Sequence, residues 1–282
     1  MNIFFRFVSY GLIVFALIAL SACAEHNSEI RPYLILYAFD AEGELLAGKI
    51  NSPDSVKILG RMVYSGQLSG QDIVLAESGI GMTNAAMTTQ KLIDHFNPRG
   101  IIFTGIAGAI DSSVLIGDIV ACREWIMHDY GYHGQDGFKH RGIAVYDPSS
   151  DSIFRVERFD VDSTYYDMAE KLTGHDFTFG IIGEREPRFI IGAVGVSGDC
   201  FIDNHEKRIW LSENFEALVT DMESASVAQV CRVNGLPFIV FRSASDLAGG
   251  SGSESARTEM NQFFQIAADN SSQVVLEFLN KL

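Results

Sequence analysis

Basic residues are scarce in this 282-residue chain: Lys and Arg total 21 against 36 Asp and Glu, a formal charge of −15. Binding along a nucleic-acid backbone needs a basic footprint, so that class of partner is excluded. Cysteine is also rare, with only Cys23, Cys122, Cys200 and Cys231. No two are close in sequence and none has metal-ligand spacing, so neither a disulfide framework nor a metal site is expected. Cys122 falls in an apolar strand and Cys231 on a helix face, which reads as buried free thiols. Internal repeats, basic blocks and coiled-coil runs are absent. The apolar stretch Val8 to Leu20 falls short of the ~20 residues that a membrane-spanning helix needs.

That stretch has the marks of an export signal. Arg6 and the amino terminus supply a short positive region, and small residues close the segment at Leu20-Ser21-Ala22-Cys23. Residues 1–22 therefore read as a signal peptide, with an uncleaved amino-terminal anchor as the alternative. The Leu-Ser-Ala-Cys ending resembles a bacterial lipobox. The resemblance implies that Cys23 is lipidated and becomes the first residue of an exported cell-envelope lipoprotein. Ala24 after it implies the outer membrane, facing the periplasm. Several acyl chains together hold a protein on a membrane stably, where one is marginal. Residues 23–30 then form a polar tether without periodicity.

Residues 31–282 are the right length for one large α/β domain. Tyr33 to Phe39 is an apolar run of the kind that forms a strand buried on both faces. A helix is expected from Asp40 to Lys49, and a strand at Ile73–Ala76. Thr83 is placed to cap a helix reaching His95, with Pro98 beyond its end. Strands follow at Ile101–Thr104 and Ile119–Cys122. This alternation predicts a three-layer sandwich around a mainly parallel or mixed sheet. Residues 129–187, rich in Gly, Asp, Tyr and Phe, give no clear pattern beyond a helical stretch at Asp167–Leu172. Strands resume near Phe189 and Val194. Leu247–Ser255 reads as a Gly/Ser loop, and apolar spacing from Arg257 predicts a final helix.

Chemistry concentrates at two strand ends. Val219-Thr220-Asp221-Met222-Glu223-Ser224 carries an acidic residue from an apolar strand into a small-residue helix. Asp246 ends the next apolar strand, in Phe241-Arg242-Ser243-Ala244-Ser245-Asp246. Ligands bind at the carboxyl ends of strands in open α/β sheets. Two carboxylates delivered there can hold a polyhydroxylated ligand and perform proton chemistry on it.

With Ser78-Gly79-Ile80-Gly81, Phe103-Thr104-Gly105-Ile106-Ala107-Gly108 and Val196-Ser197-Gly198-Asp199-Cys200-Phe201-Ile202, these segments resemble the purine nucleoside/uridine phosphorylase superfamily. Within it they look most like the 5'-methylthioadenosine/S-adenosylhomocysteine nucleosidases, over Tyr33 to Leu282. The resemblance implies hydrolysis of the N-glycosidic bond of a purine nucleoside, with water as co-substrate and no cofactor. It implies Asp246 as general acid toward the purine, oriented by Ser245. Glu223 would accept from the ribose hydroxyls, with Met222 against the sugar. Phe201 and Ile202 would form the base platform, and Ile80 would line the ribose and 5' region. Arg242 would be a further substrate-binding residue, with pairing to acidic residues beneath the site as the other reading.

Glu42 aligns with the water-activating Glu. Phosphorylases of the superfamily place Gly and Arg after the first strand to bind phosphate, whereas Phe39-Asp40-Ala41-Glu42 is acidic. Phosphorolysis and a non-catalytic nucleoside-binding protein remain as alternatives. Ile106 stands where Ser is common, Ala109 where Gly is, Asp221 where Glu precedes Met222, and Phe39 where Met is. The family also implies a homodimer, with Tyr130 and Tyr132 as candidates to close the pocket of a neighbouring subunit.

Overall fold

The computed structural model describes residues 31–147 and 150–282. The expected signal peptide, Cys23 and the whole tether lie outside the described residues. Residues 31–282 form one compact unit. In chain order its elements are β1 (Tyr33–Tyr37), α1 (Asp40–Ala47), β2 (Asn51–Ile58), β3 (Arg61–Leu68), β4 (Gln71–Glu77), α2 (Met82–Phe96), β5 (Gly100–Ala109) and β6 (Ile119–Met127). Next come β7 (Gly131–Gly134), β8 (Gly137–His140), β9 (Ile143–Asp147), β10 (Ser152–Val156), β11 (Phe159–Asp160) and α3 (Ser163–Glu170). The chain ends with β12 (Phe189–Ser197), α4 (His205–Phe215), β13 (Ala217–Asp221), α5 (Ser224–Asn234), β14 (Phe238–Asp246) and α6 (Ala256–Leu279).

The central sheet is mixed and flanked by helices, as the alternation of elements predicts. β1 runs parallel to β4 on one side and β5 on the other. Its side chains alternate between two cores. Leu34 and Leu36 pack with Leu92 of α2 and Val227 of α5. Tyr33, Ile35 and Tyr37 pack with Leu46 of α1 and Val274 and Phe278 of α6. With both faces covered, the strand must be apolar throughout.

Beyond β5 the sheet closes on itself. β14 pairs parallel with β5 and antiparallel with β6, while β6 pairs with β12, β12 with β13, and β13 with β5. The carboxyl ends of β5, β13 and β14 are thereby drawn together, and α1 starts beside them.

Several local features differ from the sequence expectation. The segment 51–68 is an antiparallel hairpin extended from β4. β2 carries only Val56 and Ile58 as larger apolar residues and is almost wholly exposed, so apolar patterning could not show it. The two-residue connections Leu59-Gly60 and Ser69-Gly70 all have positive φ, the turn geometry that matches strand twist. Helix α2 begins at Met82 after Gly81, without the expected Thr83 side-chain cap. Residues 131–156 form two small hairpins, β7–β8 and β9–β10. Phe189 and Val194 lie on one strand whose register shifts between Val194 and Gly195. All three described cysteines are free, but Cys200 is exposed where burial is the expectation for such thiols.

Candidate active site

A cavity of about 190 Å³ opens where the ends of β5, β13 and β14 meet the start of α1. Glu42, Glu223 and Asp246 all line it, as do Ile80, Phe201, Ile202, Met222 and Ser245. Ile80 and Phe201 are 54% and 43% exposed, which places them at its mouth. Ile202 is buried at its wall.

Asp246 reaches the cavity through a slip in the sheet. β14 and β5 stay in register up to Ala244 opposite Ala107, and then Asp246 lies opposite Gly108. Ser245 is the extra residue. Such a bulge re-aims side chains, and here it lets two consecutive residues face the same cavity. Ser245 Oγ donates to Asp246 Oδ2 at 2.8 Å. Asp246 Oδ1 is buried and has no protein partner. Burial pushes this carboxyl up to about 7; the Glu259 and Asp203 charges add to the effect, and the Ser245 and Ala248 donors oppose it.

Glu42 projects from the first turn of α1. Its Oε2 accepts from Ala38 N–H at 2.5 Å and its Oε1 from Ile106 N–H at 2.7 Å. Two backbone donors therefore fix the carboxylate. Burial raises its affinity for a proton, opposed chiefly by Arg242. A side chain on Gly105 would collide with both Glu42 and Arg242, so glycine is required there for close approach.

Glu223 precedes α5. Its Oε1 accepts from Gly81 N–H at 2.8 Å. Burial pushes it up to about 8, against the pull of Arg242.

Beneath these groups lies Arg242, fully buried. Nε donates to Asp221 Oδ2 at 2.7 Å, while the terminal nitrogens reach Glu223 at 3.4 Å and Glu42 at 3.7 Å. Its guanidinium also sits 4.1 Å from the centroid of the Phe103 ring. One cation thus faces three carboxylates. Desolvated charge is costly unless paired, and this single cation offsets that cost for the cluster.

A family model described as the phosphorylase superfamily matches residues 32–280. The chain belongs to the phosphorylase superfamily. It is 32% identical over 254 residues to the 5'-methylthioadenosine/S-adenosylhomocysteine nucleosidase of Psychromonas ingrahamii, covering 88% of this chain and 98% of that one. The same-named protein of Halalkalibacterium halodurans is 33% identical over 254 residues, with 88% and 97% covered. Among solved structures, that of the Neisseria meningitidis nucleosidase in complex with methylthio-immucillin-A matches with a TM-score of 0.73 at 26% identity, covering 89% of this chain and 99% of that one.

Within this phosphorylase-superfamily fold, Arg242 departs from its expected place as a substrate-binding residue. It does not line the cavity, because three carboxylates and the Phe103 ring hold it below the floor. Ile106, standing where Ser is common, serves through its backbone N–H instead of a hydroxyl. Asp221 accepts from Arg242, Ser197 Oγ, Ser224 Oγ and the N–H groups of Glu223 and Ser224. A shorter carboxylate therefore serves as the hub of this support. Met260 of α6 also lines the cavity. Sequence patterning missed it, since its helical position reads as one more apolar core residue. Among the described residues, the cavity lining contains no Lys, Arg or His, and no cluster of His, Cys, Asp or Glu is arranged for a metal ion.

Proposed function

We propose that this protein is a nucleosidase that hydrolyses the N-glycosidic bond of a purine nucleoside of the 5'-methylthioadenosine/S-adenosylhomocysteine type. The carrying observation is the cavity itself: Glu42, Asp221, Glu223 and Asp246 on its wall and no cation to receive phosphate. Inorganic phosphate would meet repulsion there, whereas water can be activated by a carboxylate. The phosphorolytic alternative therefore lacks an anion site, and the non-catalytic alternative leaves Glu42, Glu223 and Asp246 buried without a task.

Each group has a role in bond cleavage. Asp246, with a substantial share held as the acid at neutral pH, donates a proton to purine N7 as the base departs. Its unpartnered Oδ1 is the oxygen free to meet the ligand. Glu223 accepts from the ribose hydroxyls, and its ionised form stabilises positive charge growing on the sugar. Glu42 removes a proton from water as it attacks C1'. Phe201 stacks on the base and the apolar faces of Phe39, Ile80, Met222 and Met260 suit a thioether-bearing 5' substituent.

Reaction in ¹⁸O-labelled water tests this assignment. The label should appear at C1' of the released sugar, and an unlabelled sugar would contradict it.

The lipoprotein reading extends the proposal to location. Cys23 is the lipidated first residue, and Cys23→Ala should leave unprocessed precursor and abolish membrane retention. Processing and fractionation unchanged in that variant would remove the lipoprotein assignment. Export then fits scavenging of nucleosides outside the cytoplasm. A homodimer is the assembly that suits the exposed Tyr130 and Tyr132, whose segment is tied to the Phe201 loop by Asp199 N–H donating to Asp129 at 2.9 Å. Light scattering that finds an active monomer would contradict the dimer.

A further inference from the structure

Glu259 lies on the first turn of α6 and is 4% exposed. It has no part in the chemistry assigned above, yet a buried carboxylate is expensive to keep. Its Oε2 accepts from Leu247 N–H at 2.9 Å and its Oε1 from Ser251 N–H at 2.9 Å. Leu247 directly follows Asp246. The glycines between these two contacts, Gly249 and Gly250, take positive φ, so little in the local backbone preference would hold the loop in one shape. One side chain thus fastens both ends of the turn that follows Asp246.

We propose that Glu259 is a positioning residue for Asp246: it fixes the 247–251 turn through two backbone donors and presents a buried negative charge to the Asp246 carboxyl. The inference rests on the reading of Asp246 as general acid. The turn contains Ala248, whose backbone N–H favours the charged form of Asp246. A second anchor, Ala256 N–H donating to Asp203 at 2.9 Å, ties the start of α6 to the segment before α4. The charged groups that face Asp246 are Glu259 on α6, Asp203 before α4 and Arg208 on α4. Arg208 is itself held by donating from Nε to Ile110 O at 2.8 Å. Two carboxylates therefore oppose ionisation of Asp246 and one guanidinium favours it. Neutralising Glu259 shifts that balance toward the ionised form.

The experiment compares wild type with Glu259→Gln and Glu259→Asp. The Gln variant keeps shape and one acceptor oxygen but loses the charge. Asp keeps the charge with a reach too short to bridge both N–H groups. Two readouts are taken: the pH profile of kcat/KM for methylthioadenosine, and the infrared titration of the Asp246 carboxyl, assigned by its loss in Asp246→Asn. In Glu259→Gln the alkaline limb and the Asp246 titration should both move down by about half a pH unit or more. In Glu259→Asp both should stay near wild type while kcat falls. A purely structural Glu259 would lower the rate evenly across pH without moving either curve, and that result overturns the inference. The infrared titration needs no turnover. Failure of the nucleosidase reading would show as absent base release by the wild type, whereas failure of this inference would show as an unmoved Asp246 titration.

Discussion

The backbone N–H of Gly81 donates to Glu223 Oε1 at 2.8 Å, joining residues 142 positions apart. Beside it, Met82 N–H donates to Asp199 at 2.7 Å. The start of α2 is thus capped by two carboxylates from other parts of the chain, which is why no Thr83 cap is needed. Free N–H groups and the dipole at a helix start favour such anions. The bond to Gly81 occupies one oxygen of Glu223, and the other lies toward Arg242, so the carboxylate is oriented before any ligand arrives.

Glu223→Gln should therefore keep its place while losing the capacity to ionise. Binding and turnover should both weaken, because the group touches the sugar in the ground state and stabilises charge later. A loss of roughly 10²-fold in kcat/KM is expected from steady-state kinetics. A variant with wild-type kcat/KM would remove Glu223 from the mechanism.

Asp246→Asn should lower kcat by ~10²- to 10⁴-fold with a much smaller change in KM, since the amide can hydrogen-bond but cannot donate a full proton. In the wild type, kcat/KM should fall as pH rises through about 7, where the acid form of Asp246 is lost. An alkaline limb unchanged by the substitution, measured on residual activity, would assign the acid role elsewhere.

The same carboxyl makes a prediction about stability. Its folded pKa of about 7 exceeds the ordinary 3.8, so the folded state binds more protons between these values. Folding stability from this group is fully present below about pH 4 and declines as pH rises through 7. Asp246→Asn should thus leave stability at pH 4 nearly unchanged and raise it at pH 8, by up to ~4 kcal/mol at 1.36 kcal/mol per pKa unit. Urea unfolding at the two pH values checks this. Equal effects at both would show that burial does not hold the proton.

Much of this arrangement was legible in the chain. The apolar runs of β1, β5 and β14 mark strands covered on both faces, and the acidic residues ending β13 and β14 mark the edge where they meet. The closure of the sheet was not legible, because the β13–β5 and β14–β6 pairings depend on contacts between strands distant in sequence. Nor was the burial of Glu42, which reads as an ordinary acidic residue in a helix's first turn until Ala38 and Ile106 are seen to enclose it. Arg242 shows the converse. Its neighbours in sequence line the cavity, while its own long side chain runs below to the carboxylates.

Arg242→Met should be strongly destabilising, since it leaves three carboxylates facing one another without their cation. Breaking a buried pair on one side typically costs ~3–5 kcal/mol. Chemical denaturation at pH 7 should show a loss of this order. The loss should be largest above about pH 8, where Glu223 is ionised, and shrink as pH falls and Glu223 and Glu42 hold protons. A pH-independent loss would point to packing against Phe103 as the main role of this side chain.

The most direct measurement is product analysis with methylthioadenosine, in the presence and absence of inorganic phosphate. Chromatography should show adenine and the free thio-sugar at a rate that phosphate does not change. Appearance of the sugar 1-phosphate, or base release only when phosphate is added, would contradict the account.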